Sequence, residues 1–249
     1  MLERDAASGI HRIEDANTNW YLVEDGDRLT VVDCGVPTSW QSFEQALGIL
    51  GRRKDDVQAI VLTHAHFDHL GFAERARREL HVPVWCHEND VPLTRHPAQY
   101  GHERPRSFYM LRPKTLPIVA AFTKARAFFP RAVEKVERYY ENGTLPVPGS
   151  PHVVFTPGHT IGHCSLHFPD RDTLIAGDAV VTLQPVPRGA RAAARLRCHG
   201  RLGAGAPLPG RGRGHGSQDC VVRARPCVGR RRGSDRGGCP PPRTDLAAA

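Results

Sequence analysis

Residues 63–69 place three histidines and one aspartate directly after an apolar run. The run, residues 57–62, has the composition of a buried strand, and the next seven residues read Thr-His-Ala-His-Phe-Asp-His. Ligands packed this tightly cannot share one face of a strand or helix, so this segment must be a loop at a strand end. Imidazole and carboxylate bind zinc or iron without thiolate. The segment therefore predicts a metal site.

The same pattern occurs twice more along the chain. The apolar residues 153–155 are followed by His159, and the apolar residues 173–176 are followed by Asp178. His159 can complete a three-histidine site with residues of the first loop, and Asp178 can lie between two metals and bridge them. Bridging carboxylates hold two cations about 3.5–4 Å apart in two-metal hydrolases. We therefore predict a centre of six side chains: His64, His66, Asp68, His69, His159 and Asp178.

These motifs, in this order, resemble the metallo-β-lactamase superfamily over about residues 10–184. The resemblance implies an α/β (α+β) fold, an αββα sandwich with the metals at one edge of two facing sheets. It implies hydrolysis of an ester, thioester, lactone, amide or phosphodiester bond by a metal-bound hydroxide. Residues 157–163 are more similar to the glyoxalase II-like and lactonase-like branches than to true β-lactamases.

The resemblance also implies a role for each residue of the centre. The first metal would be held by His64, His66 and His159. The second would be held by Asp68 and His69, and both metals would share Asp178. Asp68 would also orient the nucleophile, as the catalytic residue. Two zinc ions are expected, with iron or manganese as other candidates. His163 matches a family position that is usually structural, and we do not predict it as a ligand.

Two alternatives to a hydrolase remain open at the level of sequence. Some superfamily members with this ligand set hold two irons and carry out redox chemistry. The other alternative is an inactive remnant whose second metal site is incomplete. For the hydrolase we expect a small-molecule substrate; the oligomeric state is unknown from the sequence.

The positive charge of the chain is confined to its last quarter. Residues 185–249 contain 14 Arg and no Lys against 3 Asp and no Glu, a net +11 in a chain of net +8, so residues 1–184 carry −3. A nucleic-acid function would depend on this segment alone, and we do not predict one. Residues 1–184 are expected to form one domain.

Neither a membrane span nor a secretory signal is recognisable in the sequence. No run of about 18 apolar residues occurs, and the charged N-terminal residues lead into no apolar segment. We expect a cytoplasmic protein without membrane contact. The scattered Cys34, Cys86 and Cys164 are typical of reduced, buried thiols.

Residues 1–87 alternate between predicted strands and helices. Strands are predicted over residues 20–23 and 29–32 with a turn at 24–27, and over 82–86. Helices are predicted from Ser39, as the N-cap, to Gly51, and over residues 71–80. Asp33 follows the second strand, and two interpretations stay open: a turn residue, or support for the metal ligands.

Residues 88–148 mix prolines with aromatic and aliphatic side chains, which predicts broken helices and not strands. We interpret the segment as a lid-like helical insertion beside the metal site. Its aromatic side chains suggest a partly apolar substrate, although each is more simply explained by packing. His87, directly before this segment, and His96 and His102 within it are not included in the site.

Residues 185–249 depart from the pattern of a folded domain. Gly, Ala, Arg and Pro supply 44 of these 65 residues, and Phe, Tyr, Trp, Ile, Met, Lys and Glu are absent. Such a segment buries too little apolar area to offset its chain entropy, so we predict an incomplete or disordered end to the fold.

Three interpretations of this tail compete. It is an arginine-rich disordered segment, a divergent end in which His215 of Gly-His-Gly supplies the last metal ligand, or an out-of-frame translation of a GC-rich gene. The composition favours the third. One permitted set of codons for residues 233–239, read one base later, encodes Gly-Ala-Ile-Glu-Ala-Val, which is typical of a closing helix.

Overall fold

The computed structural model describes residues 1–97, 116–179 and 221–223, the last three by their backbone alone. The strands are β1 Leu2–Ala7, β2 Ile10–Asp15, β3 Thr18–Asp25, β4 Arg28–Val32, β5 Val57–Val61, β6 Val84–His87, β7 Glu137–Tyr139, β8 Gly143–Thr144, β9 His152–Phe155, β10 Cys164–Phe168, β11 Thr173–Ile175 and β12 Val221–Arg223. The α-helices are α1 Ser39–Leu50, α2 Ala73–Glu79, α3 Val91–Arg95 and α4 Leu116–Lys124.

The strands form two sheets. The first has seven strands in chain order, β1 to β7, of which β1 to β4 are antiparallel and β4 to β7 are parallel. The second is antiparallel, with the order β12-β11-β10-β9-β8. Because β4, β5 and β6 run in parallel, the loops that leave their carboxyl ends lie at one edge of the first sheet.

Both faces of the first sheet are buried. Trp20 and Leu22 of β3 pack with Trp40 and Phe43 of α1, whereas the alternate residues of β3 pack on the second sheet. Strand side chains point alternately to opposite faces, so a strand between two layers is apolar throughout. The described residues thus form three layers, helix, sheet and sheet, and they confirm the mixed sandwich predicted from the sequence.

The early elements agree with the predictions to within a few residues. The turn between β3 and β4 has Gly26 at φ 60°, and Gly51, the C-cap that follows α1, lies in the left-handed region with φ 68°. Glycine meets no steric penalty there. Ser39, predicted as the N-cap, is instead the first residue of α1, and its Oγ accepts a hydrogen bond from the Val36 amide at 3.2 Å.

The range interpreted as a helical insertion contains strands as well as helices. It includes α3 and α4, but β7 joins the first sheet beside β6, and β8 joins the second. Tyr139 of β7 is buried between the sheets, which explains why this short stretch is part of the sandwich. Residues 98–115 of the range lie outside the described residues.

One short segment of the predicted tail is a strand. β12 pairs antiparallel with β11, with Val221 opposite Ile175 and Arg223 opposite Thr173. The other residues after Ala179, His215 among them, lie outside the described part of the chain. Within residues 1–97, 116–179 and 221–223, no helix has the length and apolar character needed to cross a membrane.

Candidate metal centre

Three loops that leave strand ends bring the predicted ligands together. The loop after β5 carries His64, His66 and His69, the loop after β9 carries His159, and a 3-10 turn after β11, Gly177–Ala179, carries Asp178. The backbone of the second loop is joined to the first, because the Cys164 amide donates to the Thr63 carbonyl at 2.9 Å.

Three histidines form one set of candidate ligands. One side-chain nitrogen from each of His64, His66 and His159 lies within 4.8 Å of the others. Their ring centroids are 4.5–4.8 Å apart. This is the set that the sequence predicts for the first metal.

A second set overlaps the first. It consists of His64, His69 and Asp178, with one ligand atom from each within 4.8 Å of the others. The Asp178 carboxylate faces both sets: Oδ1 lies 3.5 Å from His69 Nε2, and Oδ2 lies 3.0 Å from His159 Nε2. The Asp178 carboxylate therefore lies between the two sets, and its role as a bridging ligand stays a prediction.

Asp68 belongs to neither of these sets of three atoms. Its side chain is buried, and burial raises the pKa of its carboxyl, with the nearby Asp178 acting in the same direction and His69 opposing it. In the described residues the second set therefore includes His64 where the sequence predicted Asp68. Asp68 therefore lies close enough for His69 and Asp178 to change its pKa, but it is not a member of either set of three ligand atoms.

The Asp33 carboxylate accepts hydrogen bonds from two residues of the first loop. Its Oδ1 accepts a hydrogen bond from the Thr63 amide at 2.8 Å, and its Oδ2 accepts from the Thr63 hydroxyl at 2.8 Å. His69 Nδ1 donates to the same Oδ2 at 3.0 Å. Of the two interpretations left open for Asp33, these contacts favour support of the candidate ligands.

The hydrogen bonds also orient two imidazoles toward the cluster. The Thr63 hydroxyl gives its one proton to Asp33, so the 3.1 Å contact between this hydroxyl and His64 Nδ1 must be donated by the histidine. Metal-binding histidines commonly donate their other N–H in this way. The opposite atoms, Nε2 of His64 and of His69, are buried and have no hydrogen-bond partner among the described residues.

These features fit a bound cation. Burial, followed by the charges of neighbouring imidazoles, lowers the pKa of His64 well below its ordinary value, and burial does the same for His66. Both rings are therefore neutral and can offer a lone pair. Burial also lowers the pKa of His69, but Asp33, Asp178 and Asp68 outweigh it and raise that pKa well above its ordinary value. These three carboxylates around His69 would likewise stabilise a metal cation at this position.

The other histidines of the region are outside both sets. His163 Nδ1 lies 2.8 Å from the Thr156 hydroxyl, and its ring packs 5.1 Å from that of His64. His87 is buried and stacks on Phe155, with ring centroids 4.9 Å apart. His102 and His215 lie outside the described residues.

Two further residues beside the centre, Tyr139 and Asp90, are not among those predicted from the sequence. The Tyr139 hydroxyl donates to the Leu62 carbonyl at 2.6 Å, and so fixes the point where β5 becomes the ligand loop. Asp90 follows β6 and is fully buried. One signal was available for Asp90, since it follows a predicted strand as the ligands do, but nothing local shows which groups it contacts.

Several known proteins are similar to this chain in sequence. A family model described as "Metallo-beta-lactamase superfamily" matches residues 13–222. The "Probable metallo-hydrolase YflN" of Bacillus subtilis (strain 168) is 30% identical over 187 residues, which cover 72% of this chain and 67% of that protein. The "Probable metallo-hydrolase YqgX" of the same organism is 27% identical over 123 residues, 49% of each chain. This chain thus spans about half to two thirds of these relatives.

Solved structures show the same fold. The metallo-beta-lactamase family protein TTHA1429 from Thermus thermophilus has a TM-score of 0.54 at 25% identity, over 72% of this chain and 62% of that one. BJP-1, a subclass B3 metallo-beta-lactamase of Bradyrhizobium japonicum, has a TM-score of 0.50 at 20% identity, over 68% and 55% of the two chains. The second likeness bears on the fold alone.

Proposed function

The chain belongs to the metallo-β-lactamase superfamily, and from this premise we propose that it is a metal-dependent hydrolase of an ester, thioester, lactone or related bond. The observation that supports the proposal most directly is the pair of overlapping ligand sets, joined through His64 and the Asp178 carboxylate. Zinc is the metal we propose, with iron or manganese as alternatives, because imidazole and carboxylate suit all three.

Each group of the centre has a defined task in this proposal. His64, His66 and His159 would hold one ion, and His69 with Asp178 would take part in holding a second. When bound, such ions lower the pKa of a coordinated water to about 7 and polarise a carbonyl oxygen. Asp68 would accept a hydrogen bond from the attacking water and orient it toward the acyl carbon. No serine or cysteine nucleophile is then required.

Aromatic and aliphatic side chains on and beside the ligand loops support a small substrate with an apolar part. Phe67, between His66 and Asp68, packs against Phe122 of α4 and Phe128 beyond it, with ring centroids 5.6 and 5.9 Å away. Phe129 is 81% exposed and Ile161, in the second ligand loop, is 74% exposed. The cytoplasmic location and the glyoxalase II-like or lactonase-like branch stay predictions from the sequence.

Metal analysis and a substrate panel test the proposal together. The protein should be purified without added metal, analysed for zinc, iron and manganese, and assayed on esters, lactones and thioesters. His64→Ala and Asp68→Ala should each lower kcat/KM by at least about a thousandfold, since a ligand or the water-orienting carboxylate is lost. Exposed Glu88→Gln is the matched control and should retain activity.

Two results would count against a hydrolase. Full activity in either variant, with circular dichroism unchanged, would remove the assigned residues from the mechanism. Stoichiometric iron with oxygen or nitric oxide turnover, and no hydrolysis, would instead support the di-iron redox alternative. Substoichiometric metal without any turnover would support the inactive remnant.

A further inference from the structure

Asp90 ties the two histidine loops to each other from a third segment. It lies in the 3-10 turn Glu88–Asp90 after β6, and its side chain is fully buried. Oδ2 accepts a hydrogen bond from the Ala65 amide at 3.1 Å and another from the Thr160 hydroxyl at 2.6 Å. Oδ1 accepts from the Gly162 amide at 2.8 Å.

The donors belong to the residues that carry the ligands. Ala65 lies between His64 and His66, and Thr160 follows His159 directly. One carboxylate therefore connects the backbone of the first loop, 25 residues before Asp90, to the second loop, 70 residues after it. All three partners donate, and a carboxylate is the side chain that only accepts.

Gly162 allows this connection to be short. A Cβ at this position would lie 2.7 Å from both Cγ and Oδ1 of Asp90, closer than a real contact permits. The absence of a side chain lets the loop backbone press directly against the carboxylate. The distance between the loops is thus set by direct contact on both sides of Asp90.

We propose that Asp90 is a positioning residue that sets the spacing of the three histidines His64, His66 and His159. The inference depends on the proposed metal centre and adds to it the device that holds the first ligand set in shape. Buried, charge-assisted hydrogen bonds are short and directional, so they fix the loops more closely than van der Waals contact alone. Among the described residues, the hydrogen bonds of the Asp90 side chain go to Ala65, Thr160 and Gly162 and not to an imidazole ring.

Asp90→Asn tests the carboxylate at almost constant size. The amide nitrogen must face either Gly162 N–H or Ala65 N–H, so one donor meets another in both orientations. We expect the affinity of the first site for Zn²⁺, measured against a competing chelator, to fall about 10–100-fold, as is usual for groups that orient metal ligands. The visible absorption of the Co²⁺-loaded protein should change with it.

A second pair of variants keeps the test valid if Asp90→Asn fails to fold. Thr160→Val removes the hydroxyl donor with little change of shape, and Thr160→Ser restores it. Thr160→Val should weaken Zn²⁺ binding and alter the Co²⁺ spectrum, and Thr160→Ser should return both toward wild type. Glu88→Gln, an exposed carboxylate of the same turn, is the control and should leave both unchanged.

The outcomes separate the two proposals. Wild-type protein that binds neither Zn²⁺ nor Co²⁺ would overturn the metal centre itself. Wild-type protein that binds metal, with folded Asp90→Asn or Thr160→Val identical to it in Zn²⁺ affinity and Co²⁺ spectrum, would overturn the positioning role alone. Weaker binding in Thr160→Val with recovery in Thr160→Ser supports it.

Discussion

Asp33 is the residue that most directly orients the second ligand set. Its carboxylate accepts from the Thr63 amide, the Thr63 hydroxyl and His69 Nδ1. Its backbone has φ 58°, in the left-handed region that Asp and Asn adopt more readily than other side chains with a Cβ. One residue therefore combines a special backbone conformation with three hydrogen bonds.

Asp33→Asn separates these two contributions. Asparagine keeps the backbone conformation but cannot accept from all three donors, so His69 loses a fixed orientation. We expect the affinity of the second metal to fall about 10–100-fold, with the first site much less affected. Metal titration by calorimetry measures the two steps, and Asp27→Asn, at a fully exposed position, is the control. Two unchanged binding steps would contradict this role for Asp33.

At the scale of elements, α2 is attached through Glu74 to the chain just before β7. This carboxylate is 3% exposed and accepts hydrogen bonds from Arg77, from Arg78 and from the Glu134 amide. The hydrogen bond from Arg77, aided by those from Arg78 and Glu134, lowers the pKa of Glu74 from 4.5 to about 2. The helix is thereby joined to the chain that returns toward β7.

The pKa of Glu74 predicts an acid-dependent part of the stability. Because its folded pKa lies below its ordinary value, this contribution is complete above pH 4.5 and is lost as the pH falls toward about 2. Glu74→Gln should lower the free energy of unfolding by about 1–2 kcal/mol at pH 7, a modest figure because solvent screens the partly exposed arginines.

Chemical denaturation from pH 7 to pH 2 measures this effect. The difference between wild type and Glu74→Gln should shrink as the pH falls from 4.5 to about 2. Glu79→Gln on the same helix is the matched control, since Glu79 is half exposed and its salt-bridge partner within the described part of the chain is Arg75. Its cost should stay below about 0.5 kcal/mol. A constant difference across this pH range would exclude the ion-pair explanation.

At the scale of the whole molecule, the question is how the chain continues after β11. The family match extends to residue 222, and β12 at residues 221–223 occupies an edge of the second sheet. The composition of residues 185–249 nevertheless remains that of GC-rich codons. We therefore retain the proposal that most of this segment is translated out of frame.

Sequencing the coding DNA through codons 175–249 from an independent template tests that proposal. Translation in another frame should continue into a helix, a turn of the Gly-His-Gly type and a closing helix, because the sandwich requires apolar elements to cover its second sheet. A protein made from that frame should bind two metals. If the frame is confirmed as it stands, His215 and the arginines become the residues to mutate.

Much of the centre follows from local sequence. His64, His66, His159 and Asp178 were predicted because each follows an apolar strand, and strand ends in a sandwich meet at one edge. The short β7 and β8 were not predicted, since two- or three-residue strands have too few side chains to show an alternating pattern. The N-cap of α1 differs by one residue, the usual uncertainty of helix ends.

The sequence by itself determined the kinds of ligand, their order and the strands that carry them, because these depend on residue chemistry and on periodicity along a few residues. Only the tertiary structure decided that His64 is common to both sets, that Asp68 stands beside them, and that Asp90 joins the two loops. These facts depend on distances between segments far apart along the chain, such as Asp90 and Gly162, which are 72 positions apart, and such distances arise from the packing of two sheets and leave no local pattern.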